Sequence, residues 1–195
     1  MICLFSIQAW AQSGKLFNTD NQLSSNLATQ VFQDKSGFIW IATRNGLNNY
    51  DGYHITVIKK DMSNFLGLNS NYINSIAQDE KEHILLGTNN SLLEFTGSEF
   101  LKIPMLDSKG KELATYVKQV YPLKNKDVAV ATSGYGIMLK KQDEQKCHAM
   151  KGEVEKLKYI HKLLEDKRGR LWIITEDGKL YRKETNGRVT SYFTG

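Results

Sequence analysis

An all-β fold of four small antiparallel sheets in series is predicted by three observations: a motif that occurs four times, a nearly constant interval between its copies, and a turn signal every few residues within each. The motif is clearest in DKSGFIWIATRNGLNNYDG, Asp34 to Gly52. It returns as DEKEHILLGTNNSLLEFTG from Asp79, KNKDVAVATSGYGIMLKK from Lys124 and DKRGRLWIITEDGKLYRKETNG from Asp166. The threonine closing each central apolar run is Thr43, Thr88, Thr132 and Thr175, so by subtraction the intervals are 45, 44 and 43 residues. A strand-built repeat of about 40 to 50 residues is the signature of a β-propeller blade. The predicted architecture is a propeller-like array of four four-stranded antiparallel blades, a partial propeller, at approximately 24–61, 70–105, 115–150 and 158–195.

Within the first copy, 26–33 alternates apolar and polar residues, as a half-buried strand does. Asp34-Lys35-Ser36-Gly37 predicts a type I turn, with Asp bonding its own backbone and Gly taking a left-handed conformation. DKRG at Asp166 repeats it. The next strand, 38–43, is apolar on both faces, Phe38, Trp40 and Ala42 on one and Ile39 and Ile41 on the other. Such a strand must be covered on both sides, as when blades stack face to face. Asn45-Gly46, and again Asp177-Gly178, predict two-residue hairpins with positive φ at both positions. The third strand is then 47–50, Asp51-Gly52 turns the chain, and 53–59 is the fourth.

Two copies depart from this pattern. The second has Glu82 at the position of Gly37 and Ser91 at that of Gly46; the third has Leu123-Lys124-Asn125-Lys126 and an extra residue in Ser133-Gly134-Tyr135-Gly136. Looser or wider turns are expected in both. The connections 61–72 and 105–116 carry Asn, Ser and Gly and read as loops between copies.

Composition narrows the function classes. At 195 residues, 41% hydrophobic and 24% charged, the chain is no disordered segment. A net charge of +5 permits an acidic partner, but the densest basic run, Lys140 to Lys162, interleaves Asp143, Glu144, Glu153 and Glu155 among its lysines. That is a solvated surface rather than a phosphate-binding stripe, so no nucleic-acid partner is expected. The first eleven residues, MICLFSIQAWA, are uncharged, almost wholly apolar and end in a small-x-small pattern, as in the remnant of a secretory signal peptide. Its removal leaves Cys147 as the one cysteine, which fits a bacterial periplasm. Cys147-His148 lacks further ligands at metal spacing and reads as ordinary strand; no metal or cofactor is expected.

QDKSGFIWIATRNGLNNYDG, Gln33 to Gly52, resembles the two-component regulator propeller repeat, whose pattern is close to QDxxGxIWxGTxxGLxxYDG. KLFNTDNQLSSNLATQVFQD, Lys15 to Asp34, resembles the lead-in to that family's first blade. The likeness is strong in the first and fourth copies and weak in the third. It implies the exported sensor region of a hybrid two-component system of polysaccharide-degrading bacteria, with oligosaccharide breakdown products as the signal class. In that family propellers precede an immunoglobulin-like domain, a membrane helix, and histidine-kinase and regulator modules. The resemblance therefore implies an N-terminal fragment without the kinase, periplasmic, and tethered in the full-length protein to the inner membrane only through its C-terminal segment. The remaining blades and downstream sensor domains are the expected partners. An open end would expose an apolar sheet face and invite self-association.

In a meander whose first strand is innermost, the loops before the first strand and between the second and third share one rim. The candidate ligand-binding residues there are Arg44, Asn71, Tyr72, Asn89, Asn90, Tyr135 and Glu176, which offer planar hydrogen bonds and rings on which a sugar can stack. Asn and Asp beside glycine serve turns instead. His54, His83, His148 and His161 occupy unrelated positions within their copies, so no catalytic residues are expected. A propeller lyase or hydrolase and a protein-interaction scaffold stay open as alternatives.

Overall fold

The computed structural model describes residues 16–60 and 67–192; the apolar leader at 1–11 lies outside them. Seventeen strands follow in order: β1 Ala28–Gln33, β2 Ile39–Thr43, β3 Gly46–Tyr50, β4 Ile55–Ile58, β5 Ile73–Gln78, β6 Ile84–Thr88, β7 Leu92–Phe95, β8 Phe100–Ile103, β9 Met105–Leu106, β10 Val117–Pro122, β11 Val128–Thr132, β12 Ile137–Lys140, β13 Cys147–Ala149, β14 Ile160–Glu165, β15 Leu171–Thr175, β16 Leu180–Lys183 and β17 Val189–Tyr192. Sixteen of them form four antiparallel meanders in chain order: blade 1 (β1–β4), blade 2 (β5–β8), blade 3 (β10–β13) and blade 4 (β14–β17).

Blade 3 corrects the expectation of four strands in every blade. Its sheet has five, because β9 pairs in parallel with β13, matching Met105 to Cys147 and Leu106 to His148. The connection read as a loop over 105–116 thus begins as a strand. Pro104 ends β8, and the next residue, Met105, is fully buried beside Leu113 and Cys147 in one apolar cluster, which draws the chain onto the edge of the following blade. Burial pushes the Cys147 thiol up to about 12.

The β1–β2 turn forms as expected: Gly37 N–H donates to the Asp34 carbonyl at 3.0 Å, and Gly37 has φ +91°. The turns without glycine are not looser. Glu82 at φ +67° and Lys126 at φ +72° take the same left-handed geometry and close the same bonds, Glu82 N–H to Asp79 O at 3.1 Å and Lys126 N–H to Leu123 O at 2.9 Å. Flanking strand pairing imposes the geometry on residues that resist it. Glu82→Gly and Lys126→Gly are each expected to raise unfolding free energy by about 1 kcal/mol, measured by urea denaturation, because the left-handed penalty of an L residue exceeds the extra chain entropy of glycine.

The β2–β3 and β15–β16 turns also differ from expectation. In each the glycine alone has positive φ, Gly46 at +130° and Gly178 at +82°. Thr43 pairs with Gly46, so the two-residue loop is Arg44-Asn45. In blade 4, Gly178 N–H returns to the Thr175 carbonyl at 3.0 Å as the fourth residue of a type I turn.

The acid opening the first turn has a second task. Asp34 accepts the Trp40 indole N–H at 2.8 Å, and Asp166 accepts that of Trp172 at 3.0 Å. That indole bond, with backbone and side-chain donors of Arg170 added, holds the Asp166 carboxyl well below the usual carboxylate range.

Three apolar clusters lie between successive blades. One joins Trp40, Ala42, Leu47 and Ile58 of blade 1 to Ile73, Ile76, Leu86 and Leu93 of blade 2. The second joins Leu85 and Leu92 to Val120, Val130 and Met138, and the third joins Ala129, Ala131 and Ile137 to Ile160, Leu163 and Ile173. No cluster among the described residues joins blade 4 to blade 1. Val31 of blade 1 and Leu164 of blade 4 are instead 62% and 58% exposed, so both ends of the stack present apolar side chains to solvent.

Side chains also stitch the innermost strands together. Gln30 bonds both the N–H and the C=O of Ile76, the Ser75 hydroxyl accepts from Val120 N–H, and Gln119 accepts from Leu163 N–H. Backbone groups on the free edges of β5, β10 and β14 thereby find partners without a further strand.

Candidate functional site

The rim is built from the register of the inner strands. All four pair with their neighbours through an irregularity near the N-terminal end, between Ala28 and Gln30, Ile73 and Ser75, Val117 and Gln119, and Ile160 and Lys162. The residues passed over are Thr29, Asn74, Lys118 and His161. Such a bulge re-aims its side chain. In blades 1, 3 and 4 the loop after the second strand is tied back to the residue before the first. Arg44 N–H donates to Leu27 O, Ser133 N–H to Tyr116 O and Glu176 N–H to Tyr159 O.

These two devices bring residues from all four blades into one row. The Arg44 guanidinium of blade 1 lies 5.5 Å from the Tyr72 ring centroid, before β5. Tyr72 meets Tyr116, before β10, edge to face at 6.1 Å. The Lys118 ammonium lies 4.5 Å from the Tyr116 ring centroid and 3.4 Å from a carboxylate oxygen of Glu176 in blade 4. The Tyr116 hydroxyl donates to the Asn74 side-chain oxygen at 2.8 Å. Burial, with Tyr72 alongside, pushes Tyr116 up to about 12, so its hydroxyl remains a donor across the physiological range. Beyond Glu176 the row opens into a cavity of about 330 Å³ lined by Lys158, Tyr159, Glu176, Asp177 and Tyr181.

Of the residues expected from the sequence, Arg44, Tyr72 and Glu176 lie on this row. Asn89 accepts from the Ser70 hydroxyl at 2.8 Å instead. Asn71 is occupied by the fold, its carbonyl accepting from Gly46 N–H and its side chain from Lys60 N–H. Asn90 accepts from Thr88 and Ser91 hydroxyls and, at its carbonyl, from Thr115 N–H. Tyr135 is exposed on the blade 3 loop. Tyr116, Lys118, Asn74 and Tyr159 were not expected. Tyr72, Tyr116 and Tyr159 each precede an inner strand, so extending the repeat alignment one residue before each strand would have found the two missed rings.

Three segments of the chain, 22–45, 67–90 and 156–177, match the family model described as Two component regulator propeller. Each runs from the approach to an inner strand to the turn after the second, in blades 1, 2 and 4. Blades 1, 2 and 4 each carry a segment similar to the two component regulator propeller repeat. Blade 3, whose turn lacks both the leading Asp and the Gly, is not among the matched segments. No curated protein sequence matches the chain.

Solved structures share the fold of these repeats. The extracellular domain of the hybrid two component system BT4673 from B. thetaiotaomicron superposes with a TM-score of 0.74 at 17% identity, over 86% of this chain and 25% of that one. Virginiamycin B lyase from Staphylococcus aureus gives 0.64 at 11% identity, over 85% of this chain and 55% of that one. PorZ, a surface component of the type-IX secretion system of Porphyromonas gingivalis, gives 0.60 at 19% identity, over 80% and 26%. The chain spans about a quarter of the length of the first of these structures. No helix among the described residues is long and apolar enough to cross a membrane.

Proposed function

We infer that this chain is the signal-recognising part of an exported two-component sensor, and that its rim binds oligosaccharides released from polysaccharides. The observation that carries this reading is the unbroken row Arg44, Tyr72, Tyr116, Lys118, Glu176, which crosses every blade and flanks two adjoining rings with charged groups. Aromatic faces beside fixed hydrogen-bonding groups suit the two faces of a sugar ring. A ligand lying along the row touches four blades at once, so its binding resists their relative displacement. That coupling is what a sensor relays to kinase modules downstream in the family's arrangement. Glu176 is engaged by Lys118, an arrangement suited to holding a ligand rather than moving protons, so the chain itself acts without turnover. The apolar ends of blades 1 and 4 receive further blades of the same sensor, and in isolation favour self-association.

Isothermal titration with neutral and uronic-acid oligosaccharides tests the reading. Binding is expected, with affinity reduced about tenfold by Tyr72→Ala and again by Tyr116→Ala, the loss appropriate to one ring contact. Absence of binding across both series, equal affinity in the variants, or release of shortened product counts against it.

A further inference from the structure

Blade 2 departs from blades 1 and 4 at the place where the turn aspartate meets the indole. Leu85 stands where Trp40 and Trp172 stand, so the Asp79 carboxylate has no indole to accept from. Its Oδ1 takes the backbone N–H groups of Lys81 and His83, both at 2.9 Å, while its Oδ2 has only the His83 ring, with Nδ1 at 3.9 Å. Opposite Leu85 on β7 is Glu94, where blade 1 has Asn49 and blade 4 has Arg182. One Glu94 oxygen lies 3.0 Å from the same His83 Nδ1. Asp79 and Glu94 are 7% and 2% exposed, and neither pairs with a lysine or arginine among the described residues.

Two buried carboxylates face one imidazole with no lysine or arginine beside them among the described residues, and an uncompensated buried charge is costly. The carboxylate oxygen of Asp79 that accepts no hydrogen bond is turned toward that imidazole. We propose that Asp79, His83 and Glu94 form a binding site for a divalent transition-metal ion of the zinc class. Their three ligand atoms lie within 4.8 Å of one another, and one imidazole nitrogen with two carboxylate oxygens is a donor set for such an ion. The His83 side chain is partly exposed, which gives the ion a path in and leaves a coordination position for water. Bound there, the ion pins the β5–β6 turn to β7 on the face of blade 2 turned toward blade 3. The site is separate from the rim row, and this inference does not depend on sugar binding.

The test is thermal unfolding of the full chain after EDTA treatment and dialysis, with Zn²⁺ or Co²⁺ added and Ca²⁺ as the comparison. Zn²⁺ is expected to raise Tm by about 5 °C, saturating at one ion per chain, with a smaller effect from Ca²⁺. Co²⁺ is expected to give a visible d–d spectrum. Glu94→Gln, nearly isosteric, should abolish both signals while the apo variant still unfolds cooperatively, and His83→Ala should abolish the spectrum. No Tm rise and no Co²⁺ spectrum in the unaltered chain, or signals of full size in Glu94→Gln, would overturn the assignment.

Discussion

Gly136→Ala is expected to lower the unfolding free energy by about 3 kcal/mol, combining a left-handed backbone penalty with a backbone clash. Gly136 has φ +75°, and a Cβ built there would lie 2.5 Å from the Leu157 carbonyl oxygen. That oxygen belongs to main chain and cannot rotate away as a side-chain tip could. The N–H groups of Gly134 and Gly136 both donate to the Lys158 carbonyl at 2.8 Å, so the loop bearing Tyr135 is bonded directly to the segment leading into blade 4. The extra residue of this loop makes it wider, as the sequence predicts, and the two bonds keep it fixed. Gly134→Ala is the comparison: its φ is +108°, but its Cβ meets nothing within 4 Å, so it should cost only about 1 kcal/mol. Urea denaturation of the pair checks both values, and equal losses would mean that the Leu157 contact does not matter.

Leu93→Ala is expected to cost about 3 kcal/mol as well, by a different route. Leu93 is fully buried between blades 1 and 2, in the cluster that holds Trp40, Leu47 and Ile58 against Ile76 and Leu86. Because each blade packs only on its neighbours, the loss is local before it is global. Hydrogen exchange should accelerate over 28–58 while the amides of β14 to β17 keep their protection. Uniform acceleration across all four blades would show that the stack unfolds as a single unit.

The repeat was legible because its punctuation is chemical. Gly37 and Gly169 end turns that begin with an aspartate, and the apolar strand between that turn and the threonine is short enough to count. What escaped the sequence had no such mark. Met105-Leu106 is a two-residue strand whose partner, Cys147-His148, lies some 40 residues on, and two residues have no period to read. Glu82 and Lys126 take left-handed geometry because of the strands around them, and a side chain does not announce the backbone it is forced into. At the rim, Arg44, Tyr72 and Glu176 followed from the topological rule about which loops share a face. Tyr116 and Lys118 did not, because the bulge that turns Lys118 toward Glu176 exists only once β10 is paired with β11.

The parallel strand on the margin of blade 3 sets how the chain responds to force. With β8 and β9 separated only by Pro104, and β9 hydrogen-bonded beside β13, pulling on the link between the second and third sheets loads those bonds along the strand direction, in shear. The outer sheets have no such fastening and peel one bond at a time. Stretched from its two ends, the molecule should shed its flanking sheets first and give way last at the fastened central pair.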